Sequence, residues 1–145
     1  MTNTIKISCI INTTDPMTAL GFEAWIDNTK FVDIDHVETE QVISMEILED
    51  DADHELKFIL KNKTAEHTKI DADNNIVSDA RLTIADVAVD GIILGNIVTE
   101  LATYTHDFNG TQPPIQTKFY GEMGCNGTVS LKFTTPIYLW LLEHM

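Results

Sequence analysis

Apolar and polar residues alternate along most of this chain, which is the period of strands with one buried face. From Thr4 to Asn12, Ile5, Ile7, Cys9 and Ile11 fall on one face, and Lys6 and Ser8 on the other. Asp15-Pro16 ends that strand, because proline has no amide hydrogen for a ladder. Leu20 to Ile26 sets Phe22, Ala24 and Ile26 against Glu23 and Trp25. Asp27-Asn28 is turn chemistry, so Lys30 to Ile34 reads as the return strand of a hairpin. Gln41 to Leu48 alternates Val42, Ser44 and Glu46 against Ile43, Met45 and Ile47. After the acidic turn Glu49 to Asp53, Glu55 to Lys61 alternates Leu56, Phe58 and Leu60 against Lys57, Ile59 and Lys61.

The middle is less regular. Asn62 to Asp79 is polar and reads as a long loop. Alternation returns from Ala80 to Val89, and Asp90-Gly91 marks a turn. Val98 to Asp107 reads as a strand carrying Tyr104, followed by a loop through Pro113-Pro114. Thr128 to Phe133 alternates once more, and Ile137 to Glu143 is a last strand or a short helix. Short strands separated by turn signals, with no sustained helical period, predict an all-β fold. The expected architecture is a single-domain antiparallel β-sandwich over 1–145, jelly-roll-like.

Composition narrows the function classes. The chain has 145 residues, 23 acidic and 9 basic, for a formal charge of −14. Such a surface repels phosphate backbones and anionic lipid, so neither nucleic acid nor membrane is an expected partner. No stretch approaches the ~18 apolar residues of a membrane span. The first residues show no basic leader with an apolar core, so a cytoplasmic origin is expected. Cys9 and Cys125 are then expected as reduced thiols.

The motifs for chemistry are few. Asp71-x-Asp73-x-Asn75 has the alternate-oxygen spacing of a calcium loop. An EF-hand would need glycine and glutamate where Ile76 and Leu82 stand, so it is not one, and an Asx-rich turn explains the same residues. Glu49-Asp50-Asp51-x-Asp53 reads as a solvated hairpin tip. The histidines 36, 54, 67, 106 and 144 lack zinc-site spacing. No nucleophile elbow, phosphate loop or metalloprotease motif occurs, and no catalytic residue is assigned. His106 and Asp107 are neighbours, but adjacent strand residues point to opposite faces. Trp25 falls on the face opposite Phe22, where it is either exposed or covered by a partner, and Tyr104 and Tyr120 flank loops. These three rings are the candidate sugar-stacking residues. Covering the edges of the core explains them too, and is the commoner fate of Trp and Tyr, which are often half buried.

Two segments carry a resemblance. Tyr104 to Thr111 with Lys118 to Met145, and Asp53 to Thr64, resemble small β-sandwich proteins of large tailed phages of marine and cyanobacterial hosts. The resemblance implies a virion-associated protein made in the host cytoplasm, oligomeric in the assembly and docked on capsid or tail proteins as a decoration-type subunit. It supplies no site residues and no cofactor. Phe22 to Asp27 with Asp53 to Phe58 is similar to strands of carbohydrate-binding β-sandwich modules. That similarity implies the alternative: a glycan-binding module for host attachment. Trp25, Tyr104 and Tyr120 would then stack on sugars, and Asp71, Asp73 and Asn75 would hold calcium.

Overall fold

The computed structural model describes residues 4–15, 19–63, 68–70, 76–107 and 112–144. In chain order its elements are β1 (Thr4–Thr13), β2 (Gly21–Ile26), β3 (Thr29–Ile34), β4 (Gln41–Leu48), β5 (Asp53–Lys61), β6 (Thr68–Ile70), β7 (Ile76–Asp79) and β8 (Leu82–Val89). There follow β9 (Ile92–Ile93), α1 (Asn96–Leu101), β10 (Thr103–His106), β11 (Ile115–Lys118), β12 (Glu122–Met123), β13 (Gly127–Thr134) and α2 (Ile137–His144).

The strands form an antiparallel β-sandwich. One sheet runs β12-β8-β1-β4, with β9 paired to β8. The other has six strands in the order β11-β10-β13-β5-β2-β3. The chain passes repeatedly between them. After β1 it crosses to β2 and β3, returns for β4, crosses for β5, and returns for β8 and β9. It crosses again for β10 and β11, and the short β12 precedes a last crossing to β13. This is the jelly-roll-like plan that the spacing of short strands predicts.

The alternation read from the sequence becomes the core. Ile5, Ile7, Cys9 and Ile11 of β1 face Phe22, Ala24 and Ile26 of β2 and Leu56, Phe58 and Leu60 of β5 across one continuous apolar cluster. Phe22 and Phe58 stack with ring centroids 5.9 Å apart. Burial pushes the Cys9 thiol up to about 12, so it is inert as a nucleophile. The hairpin at Asp27-Asn28 forms as expected, with β2 paired to β3. Asp27 takes a left-handed backbone, φ 55°, a conformation that aspartate tolerates better than most residues.

Three segments differ from the sequence reading. Val98 to Asp107 is not one strand: α1 occupies its first part and β10 its second. A helix of six residues is too short to show a period. The segment Asn62 to Asp79 is not all loop, since β6 and β7 pair within it. Strand β11 went unread because it is an edge strand, exposed at all four positions, and carries no apolar face. The terminal apolar run is α2. Ile137, Trp140 and Leu141 are buried, whereas Tyr138, Leu139 and Leu142 are exposed. Trp140 is thus a core residue, edge-on to Phe133 at 6.2 Å.

Phe22 has no exposed surface and joins the two sheets. Phe22→Ala is expected to cost about 3–5 kcal/mol of stability. Equilibrium urea unfolding monitored by tryptophan fluorescence checks this.

Candidate functional site

The inward face of the six-stranded sheet is core, so its outward positions form a surface. Register fixes their neighbours. Trp25 of β2 lies opposite Lys30 of β3 and Lys57 of β5. Lys57 lies opposite Ser130 of β13, Ser130 opposite Thr103 of β10, and Thr103 opposite Lys118 of β11. Lys30, Trp25, Lys57, Ser130, Thr103 and Lys118 therefore make one row across all six strands. The neighbouring row contains Asp33, Glu23, Ile59, Thr128, Thr105 and Gln116. Strands spaced about 4.8 Å apart make each row about 24 Å long.

Trp25 is held on this surface. Its indole Nε1–H donates to Glu23 Oε1 at 2.8 Å, which fixes the edge of the ring. The ammonium groups of Lys30 and Lys57 lie 5.8 and 5.7 Å from the ring centroid, within cation–π range. Glu23 is itself held by Lys61, whose Nζ lies 3.0 Å from Glu23 Oε2 and 2.5 Å from Asp33 Oδ1. Lys30 completes the group at 2.9 Å from Asp33. Hydrogen bonds from Lys61 and then Trp25 keep the Glu23 carboxyl below its ordinary range, and Lys61 and then Lys30 do the same for Asp33. The ring is half-buried and pinned, so it presents a surface with little ordering left to be done on binding.

On the same face, over β5, β13, β10 and β11, lies a cleft of about 470 Å³ lined by Thr103, Thr105, Gln116, Thr128, Ser130 and Lys132, with Glu55, Leu101 and His144. Ser130 Oγ donates to Glu55 Oε2 at 2.5 Å. Gly127 sets the closeness of β10 and β13 here. A Cβ at that position would strike the Thr105 carbonyl oxygen. Hydroxyl, amide and ammonium groups on the face that also carries Trp25 suit a polyhydroxylated ligand.

The other two candidate rings do not join Trp25. Tyr104 is buried, 7% exposed, on the core side of β10. Its hydroxyl accepts from Cys125 N at 2.9 Å and donates to the Cys125 carbonyl. It anchors the loop before β13 and has no ring face to offer a sugar, which corrects the expectation from its place beside a loop. Tyr120 is 74% exposed, but it stands between β11 and β12, at the far edge of the sheet from β2. Asp71, Asp73 and Asn75 lie outside the described residues. Among the described residues no group of three or more His, Cys, Asp or Glu side chains forms a metal cradle.

Sequence reasoning missed one charged cluster. His54 is nearly buried and stacks on Phe133 at 5.4 Å. Its Nδ1 donates to Asp27 Oδ2 at 2.7 Å and its Nε2 to Asp50 Oδ1 at 2.8 Å. Carboxylates only accept, so this geometry belongs to the doubly protonated imidazolium. Burial lowers its pKa, but the hydrogen bonds to Asp27 and Asp50 outweigh burial and leave it raised. The same bond from His54 is the main cause of a lowered Asp50 pKa. Asp27 also accepts from Glu55 N at 2.9 Å, so the clamp ties the β2–β3 and β4–β5 turns to β5.

No family model matches the chain, and no curated protein matches it either. Two solved structures share its fold. One is the selenomethionine form of vCBM60, described under a circular permutation that links two families of calcium-dependent carbohydrate-binding modules. It aligns with TM-score 0.56 at 10% identity over 88% of this chain and 89% of its own. The other is vCBM60 in complex with galactobiose, with TM-score 0.53 at 12% identity over 87% and 96% of the two chains.

The His54 clamp sets a pH dependence. A raised histidine pKa contributes stability that is full below the unfolded value and is lost as pH rises through the folded value. The lowered Asp50 pKa contributes stability that is full above its unfolded value and is lost as pH falls through the folded one. The urea midpoint is therefore expected to fall as pH rises from the ordinary histidine value of about 6.5 through the raised value of folded His54. His54→Gln is expected to be less stable at the lower pH and to lose most of this slope.

Proposed function

We propose that this protein is a non-catalytic carbohydrate-binding module whose binding surface is the outer face of the six-stranded sheet. The observation that carries the reading is Trp25: a half-exposed indole, pinned by Glu23 and flanked by lysines, on the same sheet face as a hydroxyl-lined cleft. An aromatic face gives a sugar ring an apolar platform, and the neighbouring polar side chains replace water at its hydroxyls. The fold similarity to carbohydrate-binding modules agrees with this reading, as does the absence of catalytic motifs from the sequence.

Calcium enters the proposal through Asp71, Asp73 and Asn75, which have the alternate-oxygen spacing of a calcium loop. In this reading these side chains hold the ion, and Trp25 contacts the glycan independently of it. The placement on a phage virion, docked to capsid or tail proteins, remains a proposal that rests on the sequence resemblance alone. The two readings are compatible, since a particle-bound subunit can also hold a glycan.

A glycan array followed by titration calorimetry tests the module. Trp25→Ala is expected to weaken binding about tenfold or more, because a central aromatic anchor dominates such surfaces. Its melting temperature should stay close to wild type. Tyr104→Phe is expected to lower the melting temperature and leave affinity nearly unchanged. A melting temperature raised by calcium in wild type, and not in Asp71→Ala/Asp73→Ala, is expected of the ion site. An array with no hits would remove the carbohydrate reading.

A further inference from the structure

The charge on the Trp25 face runs against the rest of the molecule. Of 9 basic residues in the chain, Lys30, Lys57, Lys61, Lys118 and Lys132 all stand at outward positions of the six-stranded sheet. The acids at outward positions of β2, β3 and β5 are Glu23, Asp33, Asp53 and Glu55, four against five lysines. Lys30 and Lys61 are occupied by Asp33 and Glu23. Lys57, Lys118 and Lys132 form no ion pair among the described residues. In a chain of net charge −14, three lysines without an ion pair on one face, Lys57 among them over the Trp25 ring, are a local excess of positive charge.

Their placement is ordered. Lys57 and Lys118 share the row of Trp25, separated by Ser130 and Thr103. Three strand spacings put them about 14 Å apart along a line of hydroxyl groups. A chain laid across the strands from Trp25 would meet an aromatic face, an ammonium, two hydroxyls and a second ammonium in turn.

We propose that this row binds an acidic polysaccharide, with a pyranose face on Trp25 and sugar carboxylates on Lys57 and Lys118. The inference rests on the carbohydrate-binding reading and names its ligand class. Charge complementarity selects the acidic sugar over a neutral one, because unpaired ammonium groups gain most from a carboxylate. A nucleic acid fits less well. Its dense phosphate charge meets an otherwise acidic molecule, and single strands are held by successive aromatic platforms, of which this row has one.

Calorimetry with galacturonic acid oligomers, hyaluronan oligomers, their carboxyl-reduced forms, neutral galacto-oligosaccharides and a single-stranded DNA oligomer tests the proposal. Binding of at least one acidic series is expected, weakened by salt and by carboxyl reduction. The double variant Lys57→Met/Lys118→Met should lose about tenfold for that series, whereas Lys6→Met, on the other sheet, should bind as wild type. Equal affinity for an acidic series and its reduced form would overturn the inference and leave the module reading standing. So would binding of neutral oligosaccharides alone, or wild-type affinity in the double variant. DNA bound as tightly as the sugars would replace it with a general polyanion surface. No saccharide bound, acidic or neutral, would remove both the inference and the module reading.

Discussion

The register of β5 between β2 and β13 is the constraint on which the rest depends. Phe58 lies opposite Ala24 and Val129 on the core side, and Lys57 opposite Trp25 and Ser130 on the other. Side chains alternate with a period of two, so a slip by one residue would bury Lys57 and expose Phe58. Burying an unpaired ammonium and exposing that ring are both costly, and the apolar core therefore enforces the order of the outer rows. The layout of the outer face is thus a by-product of core packing.

The turns reinforce that register with polar groups. Asp27 uses one carboxylate oxygen on the Glu55 amide and the other on His54. Asp50 holds the second nitrogen of His54, and Thr135 donates to the same Asp50 oxygen at 3.1 Å. Glu49 accepts from the Ile137 amide at 2.7 Å, at the start of α2. The acidic cluster from Glu49 to Asp53 is therefore partly structural. Two of its members hold a histidine and a helix end rather than only meeting water.

The strands with one buried face were legible because burial selects alternation, as in β1, β5 and β13. Strand β11 and helix α1 were not. The first has no buried side and the second is shorter than two turns, so neither carries a period. The side of the sheet on which Trp25 stands followed from Phe22 and Ala24. Its pinning did not, since Glu23 and Lys61 meet through tertiary pairing. Tyr104 shows the opposite failure. Its place next to a loop left sugar stacking and core-edge cover both open, and the structure has the second: its hydroxyl serves Cys125, 21 residues away. The row from Lys30 to Lys118 needs a strand order that no local pattern contains, because β5, β13 and β10 are distant in sequence. His54 was hidden for the same reason.

The central claim is that ligand contact falls on the outer face of the six-stranded sheet. Nitrogen-15 correlation spectra recorded during titration with the best-binding oligosaccharide test it directly. The account predicts shifts at the Trp25 indole N–H and at the amides of Lys57, Ser130, Thr103 and Lys118, with the β12-β8-β1-β4 sheet unmoved. Shifts gathered instead around residues 71–75 or at Tyr120, with the Trp25 indole signal unchanged, would contradict it.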